Sequence, residues 1–284
     1  MFLGTAAALC ASTWWIPSNA QTARLRIGLT AVILADQATF LARWSHYLGR
    51  RLDCKVDFLV RDSYQAILDL LFADQLDAAW ICGYPFVRYQ EQLRLLAVPL
   101  YQGQPTYQAY LIRARTGHSD AGPRGWPDLR DKVLAYSDPL SNSGWLVAQG
   151  QLAAARIPAS DLRRTFFAHG HRNVAEAVAA RLAHAGSIDG YVWETMRVQG
   201  LSAVGGTEVI WKSEPHGFPP LVSPLGERRL TRPLQHTLLA MRHDDEGRSL
   251  LKALNLDGFV AGTPALFDSI RALARSVPGS GVAA

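Results

Sequence analysis

Strands and helices alternate along this chain, and that order leaves few folds open. "RLRIGLT" (24–30) places Leu25, Ile27 and Leu29 at the two-residue period of a strand. "ATFLARWSHYLGRRL" follows, with Phe40, Trp44, Tyr47, Leu48 and Leu52 at helical spacing. "CKVDFLV" (54–60) reads as a second strand, Ser63 as the cap of a helix through "YQAILDLLFADQ", and "LDAAWIC" (76–82) as a third strand. A strand–helix–strand–helix–strand order predicts an α/β unit built on a parallel sheet.

The pattern restarts after a loop-rich stretch, "RTGHSDAGPRGWPDL". A strand is expected near 132–137, then a helix from "SNSGWLVAQGQLAAA", then a short strand in "TFFAHG". "RNVAEAVAARLAHAG" reads as an amphipathic helix ended by Gly186, and "SIDGYVW" (187–193) as a buried strand. "TEVIWKS" (207–213) leads out of this second unit. The segment 238–277 reads as one strand and two helices, too few for a domain, and is expected to pack back onto the first unit. No internal repeat is present. The expectation is two α/β lobes, 24–110 with 214–284 and 111–213, enclosing a ligand cleft. In open parallel sheets ligands gather beyond the carboxyl ends of strands, so the polar residues after each strand are the ones to weigh.

Composition narrows the function classes. Hydrophobic residues make up 49% and charged residues 19% of the 284, the balance of a folded chain. The net charge of +5 is spread out, with four lysines among 29 basic residues and no basic run. That excludes a nucleic-acid stripe and leaves a mild attraction for anions. Cys10, Cys54 and Cys82 have neither zinc-site spacing nor an evident pairing, and no cofactor motif occurs. Residues 1–20 carry no charge and end in Ser18-Asn19-Ala20, which reads as a signal peptide cleaved after Ala20, although a basic first segment is missing. An exported, periplasmic protein follows from that reading. No other stretch approaches the roughly 18 apolar residues a membrane span needs.

The segment Ser137-Asp138-Pro139-Leu140-Ser141-Asn142-Ser143-Gly144 holds the strongest local signal. A helix start has unpaired N–H groups and partial positive charge. Three small polar residues and a glycine there make an anion cradle, whereas an ordinary N-cap needs only one of them. The segment is neither a nucleophile elbow nor a Walker loop. His169 and His171 stand between a strand and a helix, where a histidine can donate to an anion, cap the helix, or join a metal set for which further ligands are missing. Glu194 follows Tyr191 and Trp193, either to hold a cationic ligand group or as a helix-start charge. Tyr64, Cys82, Tyr84 and Tyr107 follow strands of the first unit or the crossing between units. Cys82 reads as a small buried hydrophobe or as a soft ligand.

Taken in order, these residues resemble the phosphonate- and phosphite-type (PhnD-like) periplasmic substrate-binding proteins of bacterial ABC importers. The resemblance covers 25–225. It rests on Asp138-Pro139 followed by Ser141-Asn142-Ser143-Gly144, on Gly170-His171, on Ser63-Tyr64, on Tyr107 and on Glu194. It implies a type II periplasmic-binding-protein fold, a monomer, and a small oxyanion (phosphonate, phosphite or phosphate-like) held by Tyr64, Tyr107, Ser141, Asn142, Ser143, His171 and Glu194. Hinge closure and delivery to a membrane permease follow from it. Asn142 stands where the family often has Thr, a second acid near an amino group has no match, and Cys82-Gly83-Tyr84-Pro85 departs from the family pattern. Cys82 and Tyr84 are therefore further candidates, and an arsenite sensor acting through Cys82 on a membrane histidine kinase is the alternative. An enzyme using His171 and Glu194 as acid and base lacks a nucleophile–base set.

Overall fold

The structure, a computed structural model, describes residues 23–30, 37–115, 122–226 and 228–282. The leader 1–20, its cleavage site and Cys10 lie outside the described residues.

The first lobe begins with β1 (Arg24–Thr30), α1 (Gln37–Leu52), β2 (Lys55–Arg61), α2 (Tyr64–Phe72), β3 (Ala78–Trp80), α3 (Gly83–Arg88) and β4 (Leu93–Leu100). Leu25, Ile27 and Leu29 of β1 are buried, and β1 runs parallel to both β2 and β3. The apolar stripe of α1, Phe40, Trp44, Tyr47 and Leu48, lies in the core, where Trp44 stacks on Phe58 with centroids 4.9 Å apart. Ser63 caps α2 by accepting from the Ala66 N–H at 3.2 Å.

A short strand β5 (Thr106–Tyr107) leads across to the second lobe: β6 (Ala109–Ala114), β7 (Val133–Tyr136), α4 (Val147–Ala154), β8 (Arg164–Phe167), α5 (His171–Ala179), β9 (Ala185–Asp189), α6 (Gly190–Val198), α7 (Ser202–Gly205) and β10 (Thr207–Lys212). The chain returns through β11 (His216–Gly217), which pairs antiparallel with β5. It then adds β12 (Leu221–Pro224), α8 (Thr231–Ala240), α9 (Asp245–Ala253), β13 (Gly258–Val260) and α10 (Asp268–Ser276). β12 and β13 join the first sheet, α8 and α9 pack on α1, and α10 rests on α3 and α4.

The two sheets share one plan. The first reads β2-β1-β3-β12-β4 with β13 at its edge, and the second reads β8-β7-β9-β6-β10. In each, one strand (β12 or β6) runs antiparallel to both its neighbours. In each, strands leave on both sides of the first parallel strand, and that reversal opens a crevice at its carboxyl end. The crevices lie at Thr30 after β1 and Ser137 after β7, and they face each other.

Two sequence expectations change. The helix that was to reach Gly186 ends at Ala179, and Arg181 adopts a left-handed φ of 60° that breaks it. Gly186 instead lies in β9 under α5, where a Cβ would come within 2.5 Å of Val174 Cγ1, so it permits helix–sheet approach rather than a cap. The strand expected over 187–193 is β9 and stops at Asp189. Asp189 caps α6 by accepting from the Val192 N–H at 3.2 Å, which puts Tyr191, Trp193 and Glu194 on a helix. A short apolar run does not tell a strand from a buried first helical turn.

Candidate functional site

The site grows from the end of β7. Asp138 accepts from the Leu140 N–H at 2.7 Å through Oδ1, and Oδ2 reaches across the cleft to accept from the Tyr64 N–H at 3.2 Å. Ser141 caps the next helix, its Oγ accepting from the Gly144 N–H at 2.9 Å. The first turn, Asn142–Leu146, is π-helical, a widened turn often found where a helix meets a ligand. Gly144 is fixed by space: a Cβ would lie 1.8 Å from Ser137 Oγ and 2.7 Å from Ser137 Cβ. The helix start thus presses directly onto the strand end.

Three polar atoms of this segment have no hydrogen-bond partner among the described residues: Ser137 Oγ, Asn142 Oδ1 and Ser143 Oγ. All three residues are buried. Such atoms are uncommon in folded proteins, and each calls for an explanation.

The other walls are built from protonated groups. Asn142 donates its N–H to Cys82 Sγ at 3.2 Å and its Nδ2–H to Tyr107 OH at 3.0 Å. The Ser187 hydroxyl donates to Ser143 O at 2.6 Å, anchoring the cradle on β9. His171, at the start of α5, accepts from the Asp189 N–H at 3.1 Å through Nδ1. That bond needs an unprotonated Nδ1, so the ring is neutral and carries its hydrogen on Nε2. Burial pushes its pKa down to about 3, in agreement. Burial also holds the Tyr64 and Tyr107 hydroxyls well above their usual range, raises the Cys82 thiol, and lifts the Asp138 carboxyl. It raises Asp189 to about 7.

Two small cavities lie between the lobes. One, of about 20 Å³, lies among Asp62, Ser137, Asp138, Gly170 and His171. The other, of about 10 Å³, is walled by Leu29, Trp80, Ile81, Tyr191 and Pro219. Thr30 and Tyr64 line both. No Lys or Arg is among the described residues that line either. The arrangement offers neutral donors and helix-start dipoles to a small anion, with little free volume around it.

Tyr64, Cys82, Tyr107, Ser141, Asn142, Ser143 and His171 therefore come together. Tyr84 and Glu194 do not join them. The Tyr84 hydroxyl donates to Ser280 O at 2.6 Å, and its ring stacks on Trp145. Glu194 accepts from the Tyr110 hydroxyl at 3.3 Å and pairs with Arg197 at 2.8 Å, in an open groove of about 290 Å³ that Tyr107 and Tyr191 also line. His169 has a left-handed φ of 55° and lines neither cavity. Sequence reading missed Ser137, Asp138 and Asp189 as site residues. All three stand at the carboxyl ends of β7 and β9, so the strand-end rule finds them once those boundaries are known. Cys54 and Cys82 are both free thiols.

A profile of the family described as "ABC transporter, phosphonate, periplasmic substrate-binding protein" matches residues 30–267. Among solved structures, a binding protein component of an ABC phosphonate transporter from Pseudomonas aeruginosa superposes with a TM-score of 0.82 at 18% identity, over 91% of this chain and 88% of that one. PhnD1 from Prochlorococcus marinus, solved in complex with methylphosphonate, gives 0.77 at 17% identity, over 89% and 97%. An ancestral arginine-binding protein bound to arginine gives 0.61 at 15% identity, over 82% and 98%. A search of curated proteins finds no match. The fold is the two-lobed type II periplasmic-binding-protein fold.

Proposed function

The chain belongs to the periplasmic phosphonate substrate-binding proteins of ABC transporters, and from that membership we propose that it captures a small phosphorus oxyanion, phosphonate or phosphite in type, and delivers it to a membrane permease by hinge closure. The observation that carries this reading is the pair of buried serine hydroxyls, Ser137 Oγ and Ser143 Oγ, that have no hydrogen-bond partner among the described residues beside the Ser141-capped helix. An anion's oxygens would accept from the Ser137 and Ser143 hydroxyls, from Tyr64 OH and from His171 Nε2. Tyr107 OH and the Cys82 thiol hold Asn142 in place.

Closure is the motion of one lobe (24–110 with 214–284) against the other (111–213) about β5 and β11. The Tyr64–Asp138 and Asn142–Cys82 bonds both span the cleft, so they form as it shuts. No covalent bond is made or broken, the protein acts as a monomer, and export depends on cleavage of the leader after Ala20. None of the solved structures named above is described as acting with a sensor kinase.

Calorimetry with methylphosphonate, phosphite and phosphate tests the reading. At least one ligand should bind with a Kd in the micromolar range or tighter, about −8 kcal/mol or more favourable. Failure of all three below the millimolar range would sink it.

A further inference from the structure

We propose that the C-terminal helix α10 clasps the two lobes together, and that Leu273, seated on Gly150 of α4, is a positioning residue that raises anion affinity from outside the cleft. This rests on the oxyanion-receptor reading above and adds to it the contact that biases its lobes.

Helix α10 is anchored on the first lobe and on the crossing. Ile270 is fully buried, and its Cδ1 lies 2.5 Å from where a Cβ on Gly83 would stand, at the start of α3. Arg271 Nη2 donates to Gln90 Oε1 at 2.8 Å. Ser269 Oγ shares a hydrogen bond of 3.0 Å with Nδ1 of His216, on the crossing strand β11.

Leu273 reaches the other lobe. Its Cδ1 lies 2.5 Å from where a Cβ on Gly150 would stand. Glycine inside a helix is unfavourable, because it gives up more backbone freedom than alanine does. Gly150 lies well inside the helical run 142–154, and the approach of Leu273 to the bare backbone of α4 accounts for it. Helix α10 also rests on the π-helical turn Asn142–Leu146, which carries the cradle. Trp145 of that turn stacks on Tyr84 of α3 with centroids 6.0 Å apart, and Tyr84 in turn holds Ser280 O, just beyond α10.

These contacts coexist with the Tyr64–Asp138 and Asn142–Cys82 bonds that span the cleft. A hinge motion that parts α4 from α10 breaks the Leu273 contact. The contact therefore favours the lobe arrangement that brings the cradle to Tyr64. Apparent affinity scales with the fraction of molecules in the binding arrangement, so the helix adds affinity without touching the anion. Leu273 and Gly150 line neither cavity.

The full chain is tested by calorimetry with methylphosphonate and phosphite, by urea titration, and by X-ray scattering without ligand. Leu273→Ala should weaken binding of whichever probe the parent binds about threefold to tenfold, and should expand the ligand-free protein. Gly150→Ala should weaken binding at least about threefold, yet keep or raise the urea midpoint, since alanine favours the helix. A contact serving the fold alone would move the midpoint and spare affinity. The double variant should bind no more weakly than the weaker single one, because both residues act through one contact. Unchanged affinity in folded Leu273→Ala, additive losses in the double variant, or equal scattering from parent and Leu273→Ala overturns the clasp and leaves the receptor reading standing. If the parent binds neither probe while scattering still separates it from Leu273→Ala, the receptor reading fails, and Leu273's role in affinity with it, while the clasp between the lobes stands.

Discussion

Ser143 is fully buried, and its hydroxyl has no hydrogen-bond partner among the described residues. An unsatisfied polar atom of this kind costs about 1–3 kcal/mol. Ser143→Ala should therefore leave the ligand-free protein as stable as before, or raise its urea midpoint, while weakening methylphosphonate binding at least about tenfold by calorimetry. A hydroxyl serving the fold would do the reverse, losing stability and sparing affinity. Residues 141–144 were legible from sequence because their polar surplus sits between a strand and a helix, where an N-cap accounts for one residue only. Ser137 was not legible as a ligand donor, because its exposure to the cradle depends on Gly144 packing within van der Waals reach of it. Glu194 was misplaced because its role was tied to a strand end that the chain does not have there.

At the scale of elements, α5 and α6 are locked together by the bond from the Asp189 N–H to His171 Nδ1. Their titrations run in opposite directions. His171 has a folded pKa of about 3, depressed below the unfolded value near 6.5, so its contribution is present above about pH 6.5 and is lost as pH falls toward 3. Asp189 has a folded pKa of about 7, raised above an unfolded value near 3.9, so its contribution is present below about pH 3.9 and is lost as pH rises through 7. Asp189→Asn keeps a side chain able to cap α6 and removes the second effect. Urea titrations should show the variant gaining on the order of 1–3 kcal/mol over the parent at pH 8 and far less at pH 5. An equal gain at both values would contradict this. Most elements of both lobes were visible as periodic runs, as β1 and α1 illustrate. The β9–α6 junction was not, because Ile188, Tyr191 and Val192 are buried on both sides of Asp189 and give no change of period.

Across the whole molecule, the alternation of elements identified two parallel units but gave no sign that β6 and β12 would enter each sheet antiparallel. Those strands belong to the crossing, and their pairing is a matter of chain path rather than local pattern. The two lobes are also joined away from the candidate site: Asn255 Nδ2 donates to Thr195 Oγ1 at 2.9 Å, linking α6 to the connection between α9 and β13. Thr195 lines neither cavity. Thr195→Val should nevertheless weaken ligand binding about threefold to tenfold. X-ray scattering should find the ligand-free variant more expanded than the parent. Unchanged affinity would mean that this contact does not bias closure. Among the described residues the lining has no Lys or Arg, while the chain as a whole carries a net charge of +5. Long-range pull and short-range grip are thus separate properties: the diffuse surface charge draws anions in and is screened by electrolyte. In the proposed receptor the dipoles and hydroxyls would act only at contact, within the cleft. Added salt should slow capture of the ligand and leave its lifetime in the cleft almost untouched.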